Sequence, residues 1–342
     1  MAESWFSLSQ GDQAEALEVA AGRSGRPAHL LEKDIWVVWT LSAIYGSALA
    51  DKLTFKGGTS LSKVYKIIER FSEDIDLTYD IRELVGDRLR DGNPIPASSS
   101  QEKKISSAVR SRLPDWIKGT VQPILESALA AAGLKATLTQ VGDNHEKLIL
   151  AYPAVRTGTG YAAPTIQLKF GARATGEPNQ VHPVSCDMAP LIEGLEFPTA
   201  RPLVMAAERT FWEKATAAHV YCLQGRLRGE RYSRHWYDLA AIAKTEHLDT
   251  AIADHALARQ VAEHKTMYFA EKDATGNWVD YVAAVSGTLQ LIPEGESLKA
   301  LADDYAAMLE DGLLALEQPE FSELLARCRS IQEHVNHQLA RG

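Results

Sequence analysis

Two adjacent glycines, Gly57 and Gly58, lie where a strand pattern ends and a helical pattern begins. Glycine allows a sharp turn, and a helix that starts at such a turn presents unpaired backbone N–H groups to an anion. The amides of Gly58, Thr59 and Ser60 would then face a phosphate. A Gly-Gly turn alone is weak evidence for a phosphate site, so its meaning depends on the residues that follow.

Two carboxylates, Asp74 and Asp76, occupy positions i and i+2 of the next predicted strand. Side chains two residues apart in a strand project from the same face. Such a pair suits Mg²⁺ or Mn²⁺, because these ions prefer carboxylate oxygens and retain coordination positions for substrate phosphates. An isolated Asp-x-Asp is more often an exposed polar strand face. Its position after the Gly-Gly turn favours a metal-dependent nucleotide site.

The surrounding patterns predict the elements that must position these residues. A buried helix is predicted from Pro27 to Tyr45, and then a strand, a helix and a strand at residues 52–55, 59–68 and 75–81. A further helix and three strands complete a small mixed sheet, at residues 114–133, 136–141, 147–152 and 165–170. Residues 86–104 are polar and rich in Gly, Pro and Ser, which indicates a surface insertion.

The remainder of the chain has almost only helical patterns, at residues 208–223, 236–244, 251–271, 297–315 and 321–339. We therefore predict an α+β fold. Residues 1–200 form an N-terminal lobe with a small mixed sheet flanked by helices. Residues 201–342 form a C-terminal helical lobe that completes the active-site cleft, and the boundary lies near the turn from Pro198 to Pro202. A length of 342 residues fits two such lobes.

Composition excludes several classes of protein. Apolar residues make up 45% of the chain and charged residues 24%, which excludes a disordered or fibrous protein, and no apolar run could span a bilayer. The net charge of −9 argues against a surface that binds nucleic acid non-specifically. The N-terminus does not resemble a secretory signal, so we expect a cytoplasmic protein. The widely spaced Cys186, Cys222 and Cys328 predict no disulfide framework or zinc site.

Several ordered motifs resemble one known family. The stretches GGTSLSK (57–63) and RFSEDIDL (70–77) look like the signature of the AbiEii/AbiGii-type toxin nucleotidyltransferases, in the polymerase-β-like nucleotidyltransferase superfamily. Further blocks of the same kind follow the family's order: EKDIW (32–36), FGAR (170–173), RTFWEKATAAH (209–219), SRHWYDL (233–239), HKTMYF (264–269) and DDYAAM (303–308). The resemblance reaches across most of the chain.

The resemblance implies the toxin of a bacterial toxin–antitoxin or phage-defence pair, with a nucleotidyltransferase N-terminal lobe and a cognate antitoxin protein as a partner. The implied reaction is the Mg²⁺-dependent transfer of a nucleoside monophosphate from an NTP to RNA, with a tRNA 3′ end as the favoured acceptor. This reaction would block translation. The implied catalytic residues are Asp74 and Asp76 as metal ligands, Lys214 on the triphosphate, and Asp238. The implied nucleotide-binding residues are Gly57, Gly58, Thr59, Ser60, Lys63, Arg234, His235 and Lys265.

Two alternatives remain open at this stage. The same chemistry could modify a protein side chain, or the fold could be a catalytically silent module that binds a nucleotide or a partner. The superfamily adds a third carboxylate from a neighbouring strand, but Lys169 stands where we would look for it. Without a third carboxylate, either Asp76 or Asp238 could be the general base that takes the proton of the acceptor hydroxyl. Lys169 could instead contact phosphate or simply face outward from its strand.

Two surface features add hypotheses about binding and control. Arg226, Arg228 and Arg231 form a basic stretch that is either an RNA-binding patch or a solvated loop. Ser72 lies two residues before Asp74, so it should share a face with both carboxylates. A phosphate on Ser72 would repel the NTP and compete for the metal, and an antitoxin that is a kinase could use this switch. The alternative is that Ser72 satisfies a backbone group at the strand entrance.

Overall fold

The computed structural model describes residues 3–72, 74–158, 163–171, 173–226, 231–310, 314 and 319–340. The chain divides into two compact units. The first unit comprises Met1–Val64, Ser72–Gly92 and Ile105–Met205, and the second comprises Tyr65–Phe71, Asn93–Lys104 and Ala206–Gly342. The boundary near residue 200 and the surface insertion stay predictions about domain organisation.

The first unit contains a seven-stranded mixed sheet. Its strands are β1 (Leu53–Lys56), β2 (Ile75–Tyr79), β3 (Thr137–Val141), β4 (Lys147–Ala151), β5 (Thr165–Gly171), β6 (Asn179–Val181) and β7 (Leu203–Met205). They lie in the order β3-β4-β5-β2-β1-β7-β6. The pairs β2–β5 and β1–β7 are parallel, and the other neighbours are antiparallel. Two short pairs lie outside this sheet: Glu3–Ser4 with Leu195–Glu196, and Val184–Ser185 with Thr199–Ala200.

Helices complete both units. Those before the second half of the chain are α1 (Gln10–Ser24), α2 (Ala28–Tyr45), α3 (Gly57–Lys63), α4 (Ile81–Val85), α5 (Ser99–Trp116) and α6 (Gln122–Ala131). The second unit continues with α7 (Ala207–Gln224), α8 (Ser233–Ile242), α9 (His247–Ala253), α10 (His255–Tyr268), α11 (Tyr281–Ala283), α12 (Gly295–Glu310) and α13 (Phe321–Leu339). The described part of the chain has no helix long and apolar enough to cross a membrane.

The two faces of the central strands differ because side chains alternate along each strand. Ile75 and Leu77 on β2 and Phe170 on β5 are buried. Trp116, at the end of α5, packs edge-on against Phe170 with 6.1 Å between ring centroids. On the opposite face Asp76 is only half-buried, although Thr78, two residues further along β2, is fully buried. One face of the sheet is therefore core, and the other is partly open around Asp76, where it can meet a ligand.

The predicted α+β class is confirmed, and so are the five strands predicted at residues 52–55, 75–81, 136–141, 147–152 and 165–170, with ends that differ by up to two residues. One predicted helix, over residues 59–68, is wrong at both ends. The helix begins at Gly57 and ends at Lys63. It cannot continue to Ile68, because Lys66 has a φ of 54°, in the left-handed region. Residues 99–104 were expected in an irregular segment but form the first turns of α5. Strands β6 and β7 were missed because three residues carry too little periodicity.

Candidate functional site

The Gly-Gly turn connects β1 directly to α3 and lies against the carboxylate of Asp76. Gly57 has a φ of 83°, which side-chain-bearing residues rarely adopt. A Cβ atom added at Gly57 would lie 2.5 Å from Asp76 Oδ2. Glycine is required here both by the backbone conformation and by this close approach. The structure thus brings the turn and one predicted metal ligand together.

The hydroxyl groups predicted to cradle phosphates are engaged within the protein. Thr59 Oγ1 donates to the main-chain carbonyl of Asp74, and its distance to Ser72 Oγ is 2.9 Å. Because Thr59 has a single hydroxyl proton, Ser72 must be the donor in that second bond. Ser60 Oγ donates to the carbonyl of Gly57 at 2.9 Å. These bonds fasten the start of α3 to the entrance of β2, so the hydroxyls position the two segments.

Asp74 forms an ion pair with a lysine side chain of the same unit. Lys169 Nζ forms an ion pair with Asp74 Oδ2, and Gln167 Nε2 lies 3.5 Å from Asp74 Oδ1. Both partners belong to β5, which runs parallel to β2. The lysine that stands in place of a third carboxylate is therefore neither isolated nor simply outward-facing. In the part of the chain that the structure describes, no three His, Cys, Asp or Glu side chains converge to hold a metal ion.

Lys63, at the end of α3, lies in a buried ion-pair network. Its ammonium contacts the carboxylates of Asp34 and, at 2.7 Å, Asp187. Burial alone would lower the pKa of Lys63, but the two carboxylates outweigh it and raise that pKa. Lys63 therefore anchors α3 to helix α2 and to the loop at Asp187. Its predicted contact with a nucleotide stays a prediction.

Three consecutive charged residues of α2, which open the EKDIW motif, are buried and hold separate segments of the first unit. Glu32 accepts the backbone N–H groups of Val155 and Arg156 at 2.8 and 2.9 Å. Lys33 donates to the carbonyl of Ala163 at 2.9 Å. Asp34 accepts from Lys63 and from the N–H of residue 187. The motif is thus a set of positioning contacts.

A second cluster lies in the second unit and centres on Asp238, whose side chain is fully buried. Arg70 forms a bidentate pair with it, with Nε–Oδ1 at 2.6 Å and Nη2–Oδ2 at 2.8 Å. Lys214 Nζ lies 2.8 Å from the same Oδ2. Burial by itself would raise the pKa of Asp238, but Arg70 and Lys214 hold it well below its usual range. Asp238 is therefore a buried anion that holds two cations.

Burial also lowers the pKa values of two other titratable groups in this cluster, Lys214 and His235. Burial lowers the pKa of Lys214, and Asp238 only partly offsets that effect. The pKa of His235 is well below its usual value, first because of burial and then because of Lys214 and Arg234. Among the described residues, no hydrogen-bond partner reaches the buried His235 Nδ1. His235 is a neutral imidazole at physiological pH.

A comparison of the sequence with known families identifies the family of the chain. The profile of the family described as nucleotidyl transferase AbiEii toxin, type IV TA system, matches residues 39–327. The chain belongs to the AbiEii family. It is thus a nucleotidyltransferase toxin of a type IV toxin–antitoxin system, and its family implies a nucleotide substrate and an antitoxin partner.

No curated protein matches the sequence. Among solved structures, the chain is similar to MenT4, a nucleotidyltransferase toxin from Mycobacterium tuberculosis H37Rv. The two chains are 15% identical with a TM-score of 0.49, and the match covers 97% of this chain and 89% of MenT4.

The AbiEii motifs also include a residue to which the sequence assigned no role. Arg70 opens the RFSEDIDL motif, yet its partner Asp238 is 168 residues away. No local spacing could reveal that pair. Ser233 is the first residue of α8, and the carboxylate of Asp304 accepts its N–H at 2.7 Å. Asp304 belongs to the DDYAAM motif, so that block stabilises the start of α8.

The remaining predicted binding residues of this AbiEii protein belong to several different segments of the second unit. Arg234 is half-buried on α8, one residue before His235. Lys265, on α10, lies with its ammonium 4.9 Å from the centre of the Phe269 ring. Arg226 is exposed, Arg228 falls outside the described residues, and the backbone N–H of Arg231 donates to Asp304. The geometry of the predicted arginine patch therefore stays a prediction.

Proposed function

We propose that this AbiEii toxin transfers a nucleoside monophosphate from an NTP to an RNA hydroxyl, at a tRNA 3′ end, and thereby blocks translation. The observation that carries the proposal is the approach of the Gly57 turn to Asp76 on β2, with Asp74 immediately before that strand. A phosphate chain and two carboxylates can meet there. Such chemistry depends mainly on positioning and on neutralising charge.

The donor set at this face fits Mg²⁺ or Mn²⁺. Asp74, just before β2, and Asp76, on β2, offer hard carboxylate oxygens, and Mg²⁺ is usually held by one or two carboxylates together with substrate phosphates. Such an ion, when bound, polarises phosphoryl oxygens and makes a hydroxyl easier to deprotonate. The chain's own task is to position the two carboxylates beside the turn. The Thr59 and Ser72 hydroxyls contribute by linking the start of α3 to the main chain at Asp74.

Asp76 is a better candidate than Asp238 for the general base. Both oxygens of Asp238 accept from Arg70 or Lys214, and its lowered pKa makes it a weak base. We assign Asp238 and Arg70 to positioning Lys214, whose ammonium would bind the triphosphate as a point charge. Arg234, His235 and Lys265 are proposed to contact the nucleotide or the RNA.

One experiment separates the proposed function from its alternatives. The purified protein is incubated with each α-labelled NTP, Mg²⁺ and total cellular RNA, and the products are resolved by gel electrophoresis. Label in tRNA supports the proposal. Label in protein would instead identify a side chain as the acceptor, and no labelled product with any NTP would indicate a silent binding module.

Acidic variants of Ser72 are expected to be inactive, whereas Ser72→Ala should retain most of its activity. A phosphate would add about −1.5 to −2 charges two residues from Asp74, and Ser72→Asp imitates part of that charge. Ser72→Ala removes only the bond to Thr59, worth about 1 kcal/mol. We expect Ser72→Asp to lower the transfer rate at least about 10-fold, or about 1.4 kcal/mol.

The measurement for Ser72 is the same transfer assay, with mass spectrometry of the toxin purified after co-expression with its antitoxin. Full activity of Ser72→Asp together with an unmodified Ser72 in the neutralised toxin would remove the switch. Inhibition by direct binding of the antitoxin would then be the simpler explanation.

Replacing Arg226, Arg228 and Arg231 together by Gln is expected to weaken tRNA binding in a salt-dependent way. Each cation that contacts a phosphate releases counterions, so the loss of contacts makes the dependence of affinity on salt less steep. The measurement is tRNA affinity between about 50 and 200 mM salt. Equal affinity of wild type and variant at every salt concentration would mean that these arginines are solvated residues.

A further inference from the structure

A row of charged side chains crosses four neighbouring strands of the sheet. Lys147 on β4 is opposite Lys169 on β5, which is opposite Asp76 on β2, which is opposite Lys56 on β1. Directly opposed residues of paired strands project from the same face. All four residues are half-buried, whereas their strand neighbours Leu148, Leu168, Leu77 and Phe55 are buried on the core face. The row therefore lies on the face that can meet a ligand.

The four residues differ in their charge partners. Lys169 is paired with Asp74, and Asp76 lies between Lys169 and Lys56 in the row. Lys147 has no ion pair among the described residues, and the residue opposite it on β3 is Val141. The chain as a whole carries a net charge of −9. A lysine at the outer end of this row is therefore a local positive charge on an acidic protein.

The order of the strands places the two ends of the row, Lys56 and Lys147, on opposite sides of Asp76. Lys56 is followed at once by the Gly57 turn, where the proposed function places the phosphates of the NTP. Lys147 lies on the other side of Asp76, two strands away, which corresponds to about 10 Å at the usual strand spacing. A phosphate near Lys147 would thus belong to the molecule that approaches Asp76 from the side opposite the NTP.

We infer that Lys147, next to Lys169, binds a backbone phosphate of the acceptor RNA strand. This inference rests on the proposed function, because it requires a polynucleotide acceptor. Lysine suits the task as a point charge that binds phosphate without reading a base. The contact would hold the acceptor RNA near Asp76 regardless of the RNA sequence. Lys147, on β4, would thus bind the acceptor, whereas the Gly57 turn would bind the NTP.

The test compares Lys147→Gln with Lys118→Gln, which removes an exposed lysine of the same unit outside the sheet. A fluorescently labelled single-stranded oligoribonucleotide is titrated with each protein at several salt concentrations. For Lys147→Gln we expect weaker binding and a slope of log K against log salt that is shallower by about 0.7, the value for one contact with a single strand. Lys147→Arg should restore the slope, and Lys118→Gln should match wild type.

The affinity of each protein for an unreactive NTP analogue, measured by calorimetry, distinguishes the source of the phosphate. An unchanged slope for Lys147→Gln would overturn the inference, and so would a loss of affinity confined to the NTP analogue. In both cases the proposed function could still hold if wild type labels tRNA in the transfer assay. Failure of wild type to label tRNA would reject the proposed function and, with it, this role of Lys147.

Discussion

Asp76→Asn is expected to lower the rate of nucleotide transfer at least about 10³-fold, which corresponds to about 4 kcal/mol of lost transition-state stabilisation. The substitution keeps the shape of the side chain but removes a carboxylate from a pair that suits a divalent cation. It also removes the proposed general base. Growth inhibition by the toxin should disappear with the activity.

The fold should survive this substitution. Asp76 is half-buried on the open face of the sheet, so the change in unfolding free energy should stay within about 1 kcal/mol. The matched control is Asp115→Asn, an exposed carboxylate at the end of α5, which should retain wild-type transfer. Transfer of labelled nucleotide and urea-induced unfolding are measured on the same preparations. A folded Asp76→Asn protein with the wild-type rate would contradict the assignment of the site.

Asp238→Asn is expected to lower the unfolding free energy by about 3–5 kcal/mol, because it leaves the cations of Arg70 and Lys214 buried without their anion. Asp249→Asn, at a residue that is 82% exposed, is the matched control and should change little. Urea-induced unfolding measures both. A double variant, Arg70→Met with Asp238→Asn, should lose less stability than the sum of the single variants, since the two residues form one network.

The same network predicts a pH dependence. The pKa of Asp238 is lowered in the folded state, so its contribution to stability is fully present above the ordinary aspartate pKa, about 3.9, and declines as the pH falls below that value. Wild type should therefore lose more stability than Asp238→Asn in acid. Parallel loss in the two proteins would contradict the charge state that we assign to Asp238.

Local pattern was sufficient for much of the first unit. Strands β1, β2 and β5 alternate apolar and polar residues, and the Gly-Gly turn lies where the sequence placed it, between a strand and a helix. Asp76 is on β2 as predicted, whereas Asp74 lies one residue before that strand. The helix predicted to Ile68 was wrong because its apolar pattern continues past Lys63, while the chain turns at Lys66 and carries Arg70 to Asp238. Tertiary contacts overrode local propensity there.

The partners of the charged site residues were beyond the reach of sequence patterns. The family resemblance implies that Lys63 binds a nucleotide, yet its ion-pair partners Asp34 and Asp187 lie 29 and 124 residues away along the chain. Lys169 looked like the loss of a carboxylate, but strand pairing brings it to Asp74. Pairs of this separation depend on the topology of the sheet, which spacing along one chain does not specify.

The strand order of the first unit also affects the timing of synthesis. Strands β1 and β2, which carry Lys56 and Asp76, lie between β5 and β7, so both of their outer neighbours leave the ribosome later. At about 5–20 residues per second, the roughly 130 residues from Asp76 to Met205 take about 6–26 s to translate. Pairings so distant in sequence also form slowly. A nascent chain therefore contains both aspartates well before the complete sheet can assemble.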